Sequence, residues 1–292
     1  MLDVSVTLAL CSLLIYGFTQ VLAKATVKSV SPASMVAVNF LVSIPIYVVF
    51  LVATLLLVDK SVLRPEYILY ALIGATTARG GYYVYLTALE KGSVTMVGSI
   101  TAAYPAITAT LAILVLGEEL RIVNGIGITV IIASMVALSY VHGRHTAREG
   151  FSRGALILSL TTFLVWGFGG MFIKLALTHL PLIAYLSVYP FILPPLAFAY
   201  LKHQKATRAE ILPKWSVPIM AAAAVAVLWQ LAYFAETGAV AQGAASIVFP
   251  LISAYPIVTI AGARILLKEE LATIDVILLG AVLLGILLTS IA

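Results

Sequence analysis

Ala103-Tyr104-Pro105 followed by Glu118-Glu119-Leu120 decides how this chain reads, because the pattern occurs twice. The second copy is Ala254-Tyr255-Pro256 followed by Glu269-Glu270-Leu271. The Tyr-Pro pair and the acidic pair both recur at an offset of 151 residues. The same offset carries Tyr82-Tyr83 onto Tyr233-Phe234 and Gly92 onto Gly243. A register kept without a gap across about 40 residues, Tyr82 to Leu120, marks an internal duplication.

The duplicated stretch lies in an apolar chain. Of 292 residues, 62% are apolar and 10% charged. A soluble domain carries about 25% charged residues, so this composition places the chain in the membrane class. Cys11 is the lone cysteine and excludes an internal disulfide. The net charge of +5 comes from basic residues in loops between apolar runs. That pattern speaks for membrane orientation, not for nucleic acid.

Taken in order, the apolar runs predict helices over about 4–27, 33–58, 67–89, 94–117 and 121–141. A second set follows over about 154–177, 182–201, 216–239, 244–267 and 273–291. Each reaches the roughly 20 residues needed to cross a bilayer, where helices satisfy their own backbone groups. The first run has no basic leader and no small-residue cleavage site, so it reads as a helix and not as a removable signal. The polar stretch His142–Arg153 separates the two sets. The expected fold is therefore an all-α membrane protein of ten transmembrane helices. Its expected units are a first repeat over 1–141, a linker over 142–153 and a second repeat over 154–292. An odd number of crossings per repeat turns the second copy upside down, an arrangement found in many secondary transporters. Lys28, Lys91, Arg144, Arg148, Arg153, Lys202, Lys205, Arg208, Lys214 and Lys268 share one side. Lys60, Arg64 and Arg121 take the other. The positive-inside rule then puts the central linker in the cytoplasm and both termini outside.

Few residues inside these runs can carry chemistry. Arg79 falls near the middle of the third run, where a charge costs about 2.5–3.5 kcal/mol on insertion scales. It reads either as a structural residue pinning helix carbonyls or as a site for a carboxylate. Tyr82, Tyr83 and Leu86 follow on its helical face. The equivalent positions in the second copy are Gln230, Tyr233, Phe234 and Thr237. Trp229, Tyr233 and Glu236 also share a face, and a buried Glu among aromatics could exchange protons. The alternatives for Glu236 are an ion pair with Arg79 or a place near the membrane surface. Pro105 and Pro256 fall mid-helix and predict kinks, with Tyr104 and Tyr255 beside them as ring-and-hydroxyl ligands.

Trp166-Gly167 mirrors Tyr16-Gly17, and Lys174 mirrors Lys24. The lysines read as snorkelling to the interface. Asn39 and Gln20 read as helix-to-helix contacts. The two acidic pairs read as favouring the positive N-termini of the helices that follow them.

Two five-helix halves, the aromatic-Gly pairs at 16–17 and 166–167, the two prolines and Gly117-Glu118-Glu119-Leu120 together resemble the EamA branch of the drug/metabolite transporter superfamily. In the second copy Lys268 replaces the glycine at the position of Gly117. The resemblance implies a ten-helix transporter whose cavity is lined by helices 1, 3, 4, 6, 8 and 9, moving amino acids, related metabolites, sugars or drugs, often outward. The chain carries no nucleophile or metal motif, so neither enzyme chemistry nor a metal is expected. It has no Gly-Lys-Ser/Thr phosphate loop, so direct drive by ATP is not expected and no cofactor is implied. The expected function is secondary transport of a small amphipathic metabolite such as an amino acid, by alternating access across the cytoplasmic membrane. A flippase for a lipid or lipid-linked sugar, or multidrug efflux, is the rival. The candidate binding residues are Arg79, Tyr82, Tyr83, Tyr104, Trp166, Trp229, Tyr233, Glu236 and Tyr255. Protons are the candidate coupling ion.

Overall fold

The computed structural model describes residues 3–92, 94–148, 152–262, Arg264 and 273–290. Among the described residues the regular structure is helical, with no strand. The first half contains α1 (Val4–Thr26), α2 (Pro32–Leu57), α3 (Pro65–Lys91), α4 (Val94–Ala102), α5 (Pro105–Leu116) and α6 (Ile122–Arg148). The second contains α7 (Arg153–His179), α8 (Leu182–Leu186), α9 (Tyr189–His203), α10 (Arg208–Ile211), α11 (Val217–Gln242), α12 (Ala245–Ser253), α13 (Pro256–Gly262) and α14 (Thr273–Ser290).

Helix starts follow local chemistry. The Asp3 carboxylate accepts the Ser5 N–H at the head of α1, and the Ser31 hydroxyl accepts the Ser34 N–H at the head of α2, with Pro32 at its first position. Such caps satisfy N–H groups that no preceding turn can reach.

Three expected helices are interrupted. The runs containing Pro105 and Pro256 are not merely kinked but broken, at Ala103-Tyr104 and Ala254-Tyr255. A proline offers no N–H, and its ring displaces the carbonyl one turn back. The chain closes both breaks in the same way, with a tightened turn. Tyr104 N–H donates to Thr101 O at 3.1 Å, and Tyr255 N–H to Ile252 O at 3.1 Å. The third break, at Ser187-Val188 between α8 and α9, precedes Tyr189-Pro190 and has the same cause. In the other direction, α6 runs on to Arg148 and absorbs most of the stretch expected as a linker. Extending an existing helix needs no new nucleus. Residues 149–151 lie outside the described residues, as do Lys268 and Glu269-Glu270.

The halves pack by exchanging equivalent contacts. α1 lies on α11 and α3 on α7, while α6 lies on α14. The Thr259 hydroxyl donates to Gly17 O at 3.1 Å, and its equivalent Thr108 donates to Gly167 O at 2.8 Å. Arg79 and Gln230, equivalent positions, touch each other at 3.0 Å. A residue meeting its own counterpart marks the axis relating two copies. The close approaches need glycine. A Cβ on Gly17 would stand 2.4 Å from Val258 Cβ, and one on Gly167 would stand 2.8 Å from Ile107 Cβ.

Among the described residues, six helical segments are long and apolar enough to cross a membrane: Val4–Thr26, Pro32–Leu57, Arg153–His179, Leu182–His203, Val217–Gln242 and Ala245–Gly262. The outer faces are apolar too. Leu56 on α2 is 77% exposed, and Phe198 on α9 is 69% exposed. Contiguous exposed apolar surface of this kind suits acyl chains and not water.

Candidate functional site

Where α1, α3, α4–α5, α7, α11 and α12–α13 converge, they line a partly open cavity of about 50 Å³, measured to the centre of a water-sized sphere. At about 10–15 Å³ per water, that holds a few molecules. Both halves line it. Tyr16, Gln20 and Tyr104 come from the first, and Trp166, Trp229, Tyr233, Glu236, Phe249 and Tyr255 from the second. The helix breaks deliver Tyr104 and Tyr255, because each tyrosine is the last residue before its proline.

Glu236 is the charged member. It sits on α11, buried, and the Tyr16 hydroxyl donates to its Oε2 at 2.7 Å. Among the described residues no Lys or Arg stands within ion-pair distance of it. Rings surround it. Tyr16 meets Trp229 edge-on at 5.0 Å, Trp166 lies 6.3 Å from Trp229, and Tyr104 lies 5.9 Å from Trp166. The Trp166 indole N–H donates to Ala78 O at 3.2 Å, and the Tyr233 hydroxyl shares a 2.6 Å hydrogen bond with that of Tyr185.

Arg79, Tyr82 and Tyr83, expected beside these rings, are not among the lining residues. Arg79 points away from the cavity, into a neutral cluster with α2. Its guanidinium donates to Asn39 Oδ1 at 2.8 Å and to Gln230 Oε1 at 3.0 Å, and a longer contact reaches the Tyr47 hydroxyl at 3.4 Å. The rings of Tyr82 and Tyr189 lie 5.9 and 5.6 Å from its central carbon. Tyr82 packs against Trp229 at a tilt of 37°, with centroids 4.0 Å apart. The guanidinium's hydrogen-bond partners are neutral and lie off the cavity, with Tyr82 on the cavity side against Trp229, so Arg79 and Glu236 do not pair. Position alone could not reveal this, because Arg79 shares its helical face with Tyr82.

Two polar cavity residues, Tyr16 and Gln20, are not among the candidates read from the sequence. Tyr16 was visible as the mirror of Trp166, a signal that could have promoted it. Gln20, expected as a helix-to-helix contact, reaches Tyr255 and also lines the cavity. Asn39 does act as a helix-to-helix contact, through Arg79.

Around the cavity, polar side chains hold the helix ends. Lys24 does not reach outward: its ammonium donates to Leu89 O at 2.8 Å and Gly92 O at 2.7 Å, at the C-terminal end of α3. Lys174 repeats this on α11, donating to Val240 O at 3.1 Å and Gly243 O at 2.8 Å. Unpaired C-terminal carbonyls attract a cation more strongly than the interface does. Glu118 caps a helix as expected of an acidic group, but in the other half of the molecule. Its carboxylate accepts the N–H groups of Ala245 and Ser246 at 2.9 and 2.8 Å, at the head of α12. Gly117 makes the reversal possible by closing α5 at φ 69°, in the left-handed region.

The EamA-like transporter family model matches residues 4–140 and 153–291, one match on each half. The chain belongs to the EamA-like transporter family. Members of this family, within the drug/metabolite transporter superfamily, are membrane transporters and not enzymes. A solved structure described only as a crystal structure of a protein has the same fold as this EamA-like chain. It superimposes with a TM-score of 0.73 at 16% identity, over 99% of this chain and 96% of that one. No curated protein matches. The EamA-like cavity thus lies between two repeats of a multi-pass membrane protein, with the Glu236 carboxylate in its wall.

Proposed function

We propose that this EamA-like protein is a secondary active transporter of small amphipathic metabolites that bear an amine, with amino acids and their relatives among the candidates. Its ten transmembrane crossings form two inverted repeats, with the linker in the cytoplasm and the termini outside. Alternating access comes from one repeat rocking against the other around the fixed cavity. The helix breaks at Pro105 and Pro256 are the hinges, since a broken helix bends without losing further hydrogen bonds. Glu236 exchanges between proton and substrate, which couples outward movement of the solute to proton entry.

One observation carries this reading: a buried carboxylate without a cation partner among the described residues, in a cavity lined by both halves. An intramembrane carboxylate is costly, and pathways for ions or solutes are where such groups persist. The test is counterflow in proteoliposomes containing the purified protein. Accumulation of labelled amine-bearing solutes against preloaded unlabelled solute, accelerated by a proton gradient, is the expected result. Flip of a lipid-linked sugar without movement of any soluble solute would replace this reading with a flippase.

A further inference from the structure

The connection between α9 and α11 joins two segments long and apolar enough to span the membrane, Leu182–His203 and Val217–Gln242, so residues 204–216 lie at the level of the lipid headgroups. Its charge is one-sided. Lys202, Lys205, Arg208 and Lys214 are all exposed, against a single acid, Glu210. Glu210 is already engaged. It accepts the Thr207 N–H at 2.8 Å, the Thr207 hydroxyl at 2.9 Å and the Ser31 hydroxyl at 2.8 Å. Among the described residues none of the four cations stands within ion-pair distance of a carboxylate. Lys205 also occupies a place that favours glycine. It closes α9 at φ 53°, with the Ala206 N–H donating to Leu201 O at 2.9 Å and its own N–H to Lys202 O at 3.1 Å. A closing turn of this kind sets one residue in the left-handed region, where a side chain is strained. The equivalent connection in the first half, 59–66, carries two acids and two bases, so the two copies do not share the excess.

Apolar side chains share the segment. Trp215 is 76% exposed and Leu212 62% exposed, with Ile211 and Val217 beside them. Bases next to a tryptophan, where a helix leaves the bilayer, suit the boundary between headgroups and acyl chains. We propose that this connection is a docking surface for anionic phospholipids. Their phosphates meet Lys205, Arg208 and Lys214, while the Trp215 ring and the Leu212 side chain lie among the first acyl carbons. A nucleic acid or an acidic protein would leave those apolar groups in water. The surface depends on where α9 and α11 leave the bilayer, not on what the cavity carries.

The chain supplies its own reporter. Of its three tryptophans, Trp166 and Trp229 line the cavity and Trp215 is exposed. The experiment reconstitutes the full-length protein in phosphatidylcholine vesicles containing either brominated phosphatidylglycerol or brominated phosphatidylcholine, and reads Trp215 quenching, with Trp215→Phe as the background. The brominated phosphatidylglycerol should reach half-quenching at about five-fold lower mole fraction than the brominated phosphatidylcholine. Raising the salt from about 0.1 M to about 1 M, which shortens the screening length from about 10 to about 3 Å, should erase that preference. The quadruple variant Lys202→Gln/Lys205→Gln/Arg208→Gln/Lys214→Gln should erase it too. Equal quenching by the two lipids overturns the proposal, and so does a preference that survives in the quadruple variant. If that variant does not fold, Lys202→Gln/Lys205→Gln and Arg208→Gln/Lys214→Gln decide in its place. Each should lose about half of the preference, and an unchanged preference in both overturns the proposal. Glycerol 3-phosphate, added at matched ionic strength, should leave the quenching unchanged. Loss of the preference in its presence would assign the surface to soluble phosphates and overturn lipid docking.

Discussion

Superimposing the two halves through their equivalent positions, 150 residues apart in α1 and α7 and 151 apart from α3 onward, separates the positions that stayed alike from those that diverged. Lys24 and Lys174 cap equivalent helix ends through the same pair of carbonyls. Thr108 and Thr259 bond to Gly167 and Gly17 in reciprocal fashion. On the inner faces of α3 and α11, by contrast, Arg79 faces Gln230, Ala78 corresponds to Trp229 and Tyr85 corresponds to Glu236. The difference teaches that the conserved contacts are those that hold the helices. The residues at the middle were free to diverge, because one copy's side chains complement the other's. Only one half supplies the carboxylate, so the cavity is chemically lopsided.

The contrast can be broken most severely at the centre. Glu236→Gln should lower transport by about 100-fold, the scale expected when a buried charged partner is lost. Tyr85→Phe, at the equivalent position, should leave transport within a few-fold of wild type. Proteoliposome flux reads both, and equal losses would mean that the centre is symmetric in function despite its sequence.

Gly17→Ala tests the frame. A methyl 2.4 Å from Val258 Cβ forces α1 away from α13, at a cost of about 3 kcal/mol, the upper range for overpacking. Gly167→Ala should cost somewhat less, since its nearest contact is 2.8 Å. Apparent melting temperatures in detergent rank the two, and a milder effect at Gly17 would contradict the packing described.

Lys24→Met and Lys174→Met should each lower stability by about 1.5 kcal/mol, as helix-end carbonyls lose a charged donor. The two losses should match if the frame is symmetric. A difference of several-fold, measured by the same melts, would show that one cap does more than hold a helix end.

The smallest effect lies outside the bilayer. The Thr207 backbone N–H, with the Ser31 and Thr207 hydroxyls, holds Glu210 below the ordinary 4.5. A depressed carboxyl stabilises above its ordinary value, and that contribution fades as pH falls through the lowered value. The 2.8 Å bond from Ser31 to Glu210, which ties α10 to the head of α2, should therefore loosen below about pH 4. Hydrogen exchange at Thr207–Leu212 should speed up there, while α3 and α11 stay protected.

The sequence carried much of this. An offset of 151 announced two copies, and runs of about 20 apolar residues announced a membrane. Glu236, Trp229 and the Tyr-Pro pairs were legible because a charge, large rings or a proline inside such runs need a reason. The break before Pro190 was just as readable and was passed over, because the run around it stays apolar. What the chain could not say is which way a side chain turns once several helices surround it. Arg79 and Tyr82 lie one turn apart on α3, so periodicity groups them with the cavity. Asn39, Tyr47 and Gln230, distant in sequence, draw the guanidinium to the other side instead. Gln20 joins α1 to Tyr255 and is at the same time part of the cavity wall, and Glu118 found its helix 127 residues along the chain. Composition and period set what each segment must do in lipid. Partner choice among buried polar groups depends on neighbours that only the packed helices bring within 3 Å.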